Sequence, residues 1–180
     1  MNISKIFLAA LFVALFTMPV VSQESPTLLT VYGNVTHSNR GSSDPFFDSF
    51  LNHHEHTFSK AYEFNIKALA GLKQRKIIAN ADGWPNAVTL EGPSLNDVLD
   101  KTGALSRNIT VTALDGYSVE FTPEELQKHN WILAIKANGK PISIGGRGPL
   151  WLAYDTNSGV ATSDEEAKWV WSVFVIKIRE

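Results

Sequence analysis

The most informative absence in this 180-residue sequence is cysteine, which does not occur at all. Without thiols the protein has no disulfides, no zinc–thiolate or iron–sulfur sites and no cysteine nucleophile. An excess of positive charge is also missing, because 16 Lys and Arg stand against 18 Asp and Glu, for a net charge of −2. Nucleic acid and anionic membrane surfaces are therefore not expected as partners.

Long hydrophobic runs are also missing, apart from one near the N-terminus. Lys5 precedes an uncharged apolar run, Ile6–Phe16, and the small residues Val20 and Ser22 suit a cleavage site before Gln23. This pattern predicts a signal peptide over residues 1–22, a folded domain over 23–180, and a periplasmic protein with no membrane anchor after cleavage. The alternative is an uncleaved anchor, but the run is shorter than the ~20 residues that span a bilayer.

The remaining sequence predicts many short strands and two or three short helices in one domain. The clearest helix begins after Ser94, a favoured N-cap residue, and ends before Gly103, which suits a left-handed C-cap. Asp115-Gly116 and Asn138-Gly139 are typical of hairpin turns between strands. Strands and helices do not alternate regularly and no linker divides the chain. We therefore expect a single mixed α/β domain of the α+β class.

Three longer segments have recognisable patterns. Leu28–Val35 is rich in β-branched residues and predicts a first strand. Asp44 is expected to cap a helix in which Phe46, Phe47, Phe50 and Leu51 share one face. The last segment, Trp169–Ile178, is apolar enough to be a strand that is covered on both faces.

The five tryptophans divide into two groups. Trp131, Trp169 and Trp171 lie in apolar segments and are expected in the core. Trp84 and Trp151 flank polar loops and are candidates for a binding surface.

A glycine-rich loop, Gly145–Pro149, is the main candidate for holding a ligand. The backbone N–H groups around Gly146 and Gly148, together with the guanidinium of Arg147, could bind an anion. Because small residues flank Arg147, we expect it to pack little and to contribute little stability. The alternative is a tight connection between strands that needs glycine, with Arg147 paired to Asp82 or Asp115.

Three other polar residues could supply acid, base or hydrogen-bonding groups, namely Asp82, Asp115 and Tyr117. For both aspartates, each followed by glycine, a turn is the alternative explanation. The histidines of His53–His56 are either a solvated helix end or a metal site, and the spacing of the H-E-x-x-H zinc motif is absent.

Several short motifs resemble a known family in their order and spacing. They are Gly92–Leu95, Gly103-Ala104, Ala113–Tyr117, Asn138–Pro141 and Arg147–Trp151. Together they resemble the sulfite-oxidase fold, the oxidoreductase molybdopterin-binding domain family, and in particular its small exported bacterial branch. The resemblance covers the chain from about Leu28 to the C-terminus. It implies a ligand cleft between residues 77–84, the turn 115–117 and the Arg147 loop.

The resemblance departs from the family at the residue that matters most for its chemistry. The family's enzymes hold molybdenum through a cysteine thiolate beside the pterin dithiolene, and the corresponding segment here, Ile77–Trp84, has no cysteine. No cofactor is therefore expected, and molybdopterin is implied only by the family. The expected function is a non-redox, sensory or accessory module that binds a small anionic ligand or another exported protein. The alternatives are a molybdopterin-dependent oxidoreductase with cysteine-free ligation and a scaffold without a ligand pocket.

Overall fold

The structure, a computed structural model, describes residues 25–180 and shows a mixed α/β fold. The predicted signal peptide, residues 1–22, lies outside the described residues. The strands are β1 Thr27–Gly33, β2 Ala61–Asn65, β3 Gln74–Ala79, β4 Val88–Pro93, β5 Ile109–Ala113, β6 Ser118–Phe121, β7 Trp131–Ala134, β8 Lys136–Ala137, β9 Lys140–Pro141, β10 Trp151–Tyr154 and β11 Val173–Ile178. The helices are α1 Ser49–His53, α2 Ile66–Gly71, α3 Leu95–Lys101, α4 Pro123–Gln127 and α5 Ser163–Glu166. The α+β class is confirmed, with five helices in this part of the chain instead of two or three.

The largest sheet has five strands in the order β2-β1-β11-β5-β6. β11 lies at its centre, parallel to β1 with Thr30 opposite Val175, and antiparallel to β5 with Ile176 opposite Val111. A central strand with both faces covered needs apolar residues at consecutive positions. β11 meets this requirement, because five of its six residues are buried.

Two smaller sheets complete the architecture, a four-stranded one in the order β3-β4-β8-β9 and the pair β10-β7. β7 and β10 are buried along their whole length, with Leu133 opposite Leu152. β4 passes so close to β7 that a Cβ on Gly92 would lie 2.1 Å from the Leu133 carbonyl oxygen. Only glycine fits this contact, which packs the four-stranded sheet onto the buried pair.

The helix predicted after Ser94 is confirmed as α3. The Ser94 hydroxyl accepts a hydrogen bond from the Asp97 N–H at 3.0 Å, and Gly103 follows the helix with φ +65°. A Cβ on Gly103 would also lie 1.8 Å from the Thr36 hydroxyl oxygen. Both the conformation and the close approach therefore require glycine.

The aromatic helix predicted after Asp44 is only partly formed. The Asp44 carboxylate accepts hydrogen bonds from the N–H groups of Phe46 and Phe47, but residues 45–48 form a turn and α1 begins at Ser49. The expectation that Phe46, Phe47, Phe50 and Leu51 share one helix face is wrong, since Phe46 and Phe47 lie in the turn before α1 and are 79% and 84% exposed.

The last predicted strand begins later than expected. β11 begins at Val173, directly after Ser172 with its φ of +56°, so Trp169–Trp171 lie outside the strand. Within residues 25–180 no helix is both long and apolar enough to cross a membrane.

Candidate functional site

The side chain of Arg147 lies on the faces of three tryptophan rings. Its guanidinium carbon is 5.1 Å from the ring centroid of Trp84, 4.8 Å from that of Trp151 and 5.8 Å from that of Trp171. Cations are attracted to the negative faces of aromatic rings at such distances. The expectation that Arg147 packs little is therefore wrong, although the residue as a whole is exposed. We refer to these four residues as the Arg147 cluster.

The guanidinium of Arg147 forms no ion pair within residues 25–180, where the pairs involve Arg40, Lys76, Lys168 and Arg179. The alternative in which it pairs with Asp82 or Asp115 is thus not what the structure shows. A guanidinium carries five N–H donors, and no side-chain hydrogen bond of Arg147 is found in residues 25–180, so these donors are available to a ligand.

The glycine-rich loop is a tight turn that holds Arg147 in place. The N–H groups of Gly146 and Gly148 both donate to the Ser143 carbonyl oxygen at 3.1 Å, so neither is free for a ligand. The expectation that these amides bind an anion is corrected by this geometry. A Cβ on Gly148 would lie 2.2 Å from the Ile142 carbonyl oxygen, so the close packing of the loop requires glycine at this position. The Arg147 carbonyl accepts from the Ser172 N–H at 2.9 Å, which ties the loop to the start of β11.

The exposures of Trp151 and Trp171 are the opposite of those expected from the sequence. Trp171 was expected in the core and is 43% exposed, whereas Trp151 was a surface candidate and is 2% exposed. Trp171 precedes the positive φ of Ser172 and lies outside β11, and an antiparallel bridge joins it to Trp151. Trp131 and Trp169 are buried as expected.

Trp84 connects the other residues of the Arg147 cluster to the short helix α5. Its ring centroid is 5.6 Å from that of Trp151 and 5.7 Å from that of Trp169. Its indole N–H donates to the Glu166 carboxylate at 2.8 Å. Glu166 was not singled out in the sequence, because α5 is only four residues long and lacks an apolar repeat.

A surface cavity of about 360 Å³ adjoins the Arg147 cluster, with Trp171 belonging to both. The Asp115–Tyr117 turn forms one wall, and α5 with its following residues forms another. The Tyr117 hydroxyl donates to the Ala167 carbonyl oxygen at 2.5 Å, and the Tyr117 N–H donates to the Asp115 carboxylate at 3.0 Å. Asp115 and Tyr117 thus lie together beside the tryptophans, and Asp115 also has the turn role given as its alternative.

Asp82 is the predicted site residue that the structure does not bring into this group. Its side chain is exposed, its N–H donates to the Ala161 carbonyl oxygen at 2.9 Å, and Gly83 follows with φ +76°. Asp82 is explained by the turn that leads to Trp84.

The histidines of residues 53–56 pack among aromatic rings. The Nδ1 atom of His56 is 2.9 Å from the Tyr32 hydroxyl oxygen, and the His56 ring contacts Phe174 edge-on. Burial lowers the pKa of His56, with further lowering from His54 and Lys177. No group of three metal-ligating side chains is found in residues 25–180.

Another cavity, of about 260 Å³, is lined by His129 and Tyr154, and the Tyr154 ring contacts Trp169. The His129 ring stacks on Tyr154 with a centroid separation of 3.8 Å, and Tyr154 meets Trp169 edge-on at 5.2 Å. Burial raises the pKa of Tyr154 to about 12, with a further contribution from the charge of Glu165. Tyr154 is therefore a neutral hydroxyl at physiological pH.

The cavity beside the Arg147 cluster is a poor match for molybdopterin. The sequence offers no thiolate for molybdenum, and the side chains around this cavity carry two carboxylates, Asp115 and Glu166. These carboxylates would repel the phosphate of the pterin, and of the basic side chains in residues 25–180 only Arg147 belongs to the adjoining cluster.

No protein-family model matches the chain, and no curated protein matches it.

Proposed function

We propose that the protein is an exported, non-redox ligand-binding module of the sulfite-oxidase fold in which Arg147 holds a small anionic ligand. The observation that carries the proposal is a guanidinium fixed on three tryptophan rings without a carboxylate partner in residues 25–180. A guanidinium held in this way, without a protein acceptor for its side chain in those residues, can donate its N–H groups to a carboxylate, sulfate or phosphate.

The arrangement of the three segments supports the proposed fold and cleft. The resemblance implies a cleft between residues 77–84, the turn 115–117 and the Arg147 loop. Trp84 from the first segment contacts Arg147, while the turn lines a cavity with Trp171, which also contacts Arg147. The three segments are therefore neighbours, with Trp171 between the turn and Arg147.

The exposure of the cluster favours a small ligand over a protein partner. Trp151 is buried and Trp84 is partly buried, so Trp171 is the ring of the cluster that is largely open to solvent. A protein-docking surface typically presents a contiguous apolar patch of a few hundred Å². The Arg147 cluster presents a charge set among rings, which suits a small charged molecule better.

The first experiment is elemental analysis and native mass spectrometry of the protein purified from its natural compartment. We expect well under one molybdenum per chain, because no thiolate is present. N-terminal sequencing of the same sample should begin at or near Gln23. Stoichiometric molybdenum would support the oxidoreductase alternative, and an intact Met1 on a membrane-bound chain would contradict export with cleavage.

The second experiment is calorimetric titration with sulfate, phosphate and benzoate. We expect at least one of these anions to bind, and Arg147→Gln should weaken its affinity by about tenfold to a hundredfold. This is the effect of losing one hydrogen bond to a charged group. Arg147→Lys should recover part of the affinity, because an ammonium keeps the charge but not the planar arrangement of donors.

The matched control for this titration is Arg107→Gln. Arg107 lies outside the Arg147 cluster, and it should leave anion affinity unchanged. Equal affinities for the wild type and Arg147→Gln, or the same loss in both variants, would contradict a role of Arg147 in holding the anion.

A further inference from the structure

The cavity beside the Arg147 cluster has a composition that differs from that of an anion site. Its walls include three aromatic rings, Tyr117, Trp169 and Trp171, and two carboxylates, Asp115 and Glu166. No Lys, Arg or His of residues 25–180 lines it. Aromatic faces and carboxylates all present negative electrostatic potential, so the cavity favours positive charge.

Each of the two carboxylates has one oxygen in use and one oxygen left over. One Asp115 oxygen accepts from the Tyr117 N–H, and one Glu166 oxygen accepts from the Trp84 indole N–H. Within residues 25–180 the second oxygen of each carboxylate forms no hydrogen bond and no ion pair. Both carboxylates are thus oriented by the protein and retain an acceptor for a ligand.

The aromatic walls are open although they are large and apolar. Tyr117 is 46% exposed and Trp171 is 43% exposed. Trp169 also lines the cavity but is only 3% exposed. A ligand that covers the two open rings would remove their apolar surface from water.

We propose that this cavity binds a cationic amine of the methylated ammonium class. The ammonium group lies against the rings of Tyr117 and Trp171 and near the free oxygens of Asp115 and Glu166. A volume of about 360 Å³ accommodates a small molecule of this kind.

This site is separate from the anion site on Arg147, which does not line the cavity. The proposal therefore stands whether or not Arg147 binds an anion. If both hold, a zwitterion could reach the two sites across Trp171, because that ring belongs to both.

The test uses choline and its neutral isostere dimethylbutanol, in which carbon replaces the ammonium nitrogen. Both molecules have the same shape and the same hydroxyl, so only the charge differs. Binding is followed through the indole N–H resonances of the five tryptophans in a heteronuclear NMR spectrum. We expect shifts at Trp169 and Trp171, and about tenfold tighter binding of choline than of the isostere.

Two variants remove the charges while keeping the local hydrogen bonds. Asp115→Asn and Glu166→Gln retain the acceptor oxygens for Tyr117 and Trp84 but lose the negative charge. Each should weaken choline binding several-fold and leave dimethylbutanol binding unchanged. Glu124→Gln, an exposed carboxylate that does not line the cavity, is the matched control and should alter neither.

Three results would overturn the proposal. They are equal affinities for the two probes, choline shifts that appear away from Trp169 and Trp171, and the absence of choline binding while the wild-type protein is folded. The failure of sulfate, phosphate or benzoate to bind would bear only on the Arg147 proposal, because choline carries no anionic group.

Discussion

The guanidinium of Arg147 is exposed, yet three rings surround it. We predict that Arg147→Ala lowers the free energy of unfolding by about 1–2 kcal/mol, because each exposed cation–ring contact contributes about 0.5–1 kcal/mol. Arg147→Lys should lose less, since the charge remains. Urea denaturation monitored by circular dichroism measures both changes.

The control for this prediction is Arg107→Ala, an arginine with no ring contact among those found in residues 25–180. Its free energy of unfolding should stay within about 0.5 kcal/mol of the wild type. Equal losses in the two variants would mean that the rings contribute nothing to holding Arg147.

Tyr154 leads to a pH prediction. Its pKa rises from 10.0 to about 12 on folding because burial disfavours the phenolate. The contribution of the neutral hydroxyl is therefore complete below pH 10 and is lost as the pH rises through about 12. The free energy of unfolding should fall over this interval, and it should fall less steeply in Tyr154→Phe.

Chemical denaturation at a series of alkaline pH values checks this expectation, with the difference between wild type and Tyr154→Phe as the readout. The phenolate absorbance gives a second measure, since the last component to titrate should be missing from the variant. Parallel stability curves would show that Tyr154 ionises as it does in the unfolded chain.

Single residues of the site could be predicted only where a local pattern marked them. Arg147 between glycines and Trp84 beside Pro85 stand out in the sequence, and they do contact each other. Trp171 and Glu166 were missed for different reasons. Trp171 lies outside β11, which begins after the positive φ of Ser172, and a serine in the sequence does not predict that conformation. Glu166 reaches Trp84 through a contact between residues that are distant in sequence.

At the level of elements, α3 depends on its two ends. Ser94→Ala should cost about 1 kcal/mol, because the Asp97 N–H loses its acceptor. Gly103→Ala should cost more, about 2 kcal/mol, since its φ is +65° and the new Cβ would lie 1.8 Å from the Thr36 hydroxyl oxygen. Thermal and urea denaturation measure both effects.

Gly71 at the end of α2 offers a matched control for Gly103. No heavy atom lies within 4 Å of a Cβ built on Gly71, and its φ is not in the left-handed region. Gly71→Ala should therefore be neutral or slightly stabilising. Similar losses at both glycines would contradict the special geometry of Gly103.

The elements that the sequence predicts well are those with capping or turn residues at their ends. Ser94 and Gly103 bound α3, and Asn138-Gly139, both with positive φ, form the turn between β8 and β9. The predicted start of α1 lies before the observed one. The Asp44 carboxylate does accept hydrogen bonds from the N–H groups that follow it, but these residues form a turn and not a helix. α2 and α5 lack a clear apolar repeat, and tertiary contacts decide their existence.

At the scale of the whole molecule, the order of the strands makes the C-terminal segment indispensable. β11 separates β1 from β5, so deletion of residues 173–180 would leave two strands of the largest sheet without their common neighbour. We expect this truncated protein to lose cooperative thermal unfolding. Deletion of residues 179–180 alone keeps β11 and should leave a cooperative transition.

The measurement is a thermal melt followed by circular dichroism and by tryptophan fluorescence. Cooperative unfolding of the longer truncation, at a temperature near that of the wild type, would contradict a central role of β11. This arrangement was only partly predictable, because the apolar sequence of β11 indicates burial but does not reveal which strands it lies between.

The position of β11 also determines when the molecule can fold. Synthesis proceeds from the N-terminus, and β11 follows both β1 and β5 in the chain, so the five-stranded sheet cannot close before β11 has been made. Until then β1 and β5 are separated by about eighty residues of chain and share no partner. The largest sheet therefore assembles only after synthesis has passed residue 178, however early its other four strands are made.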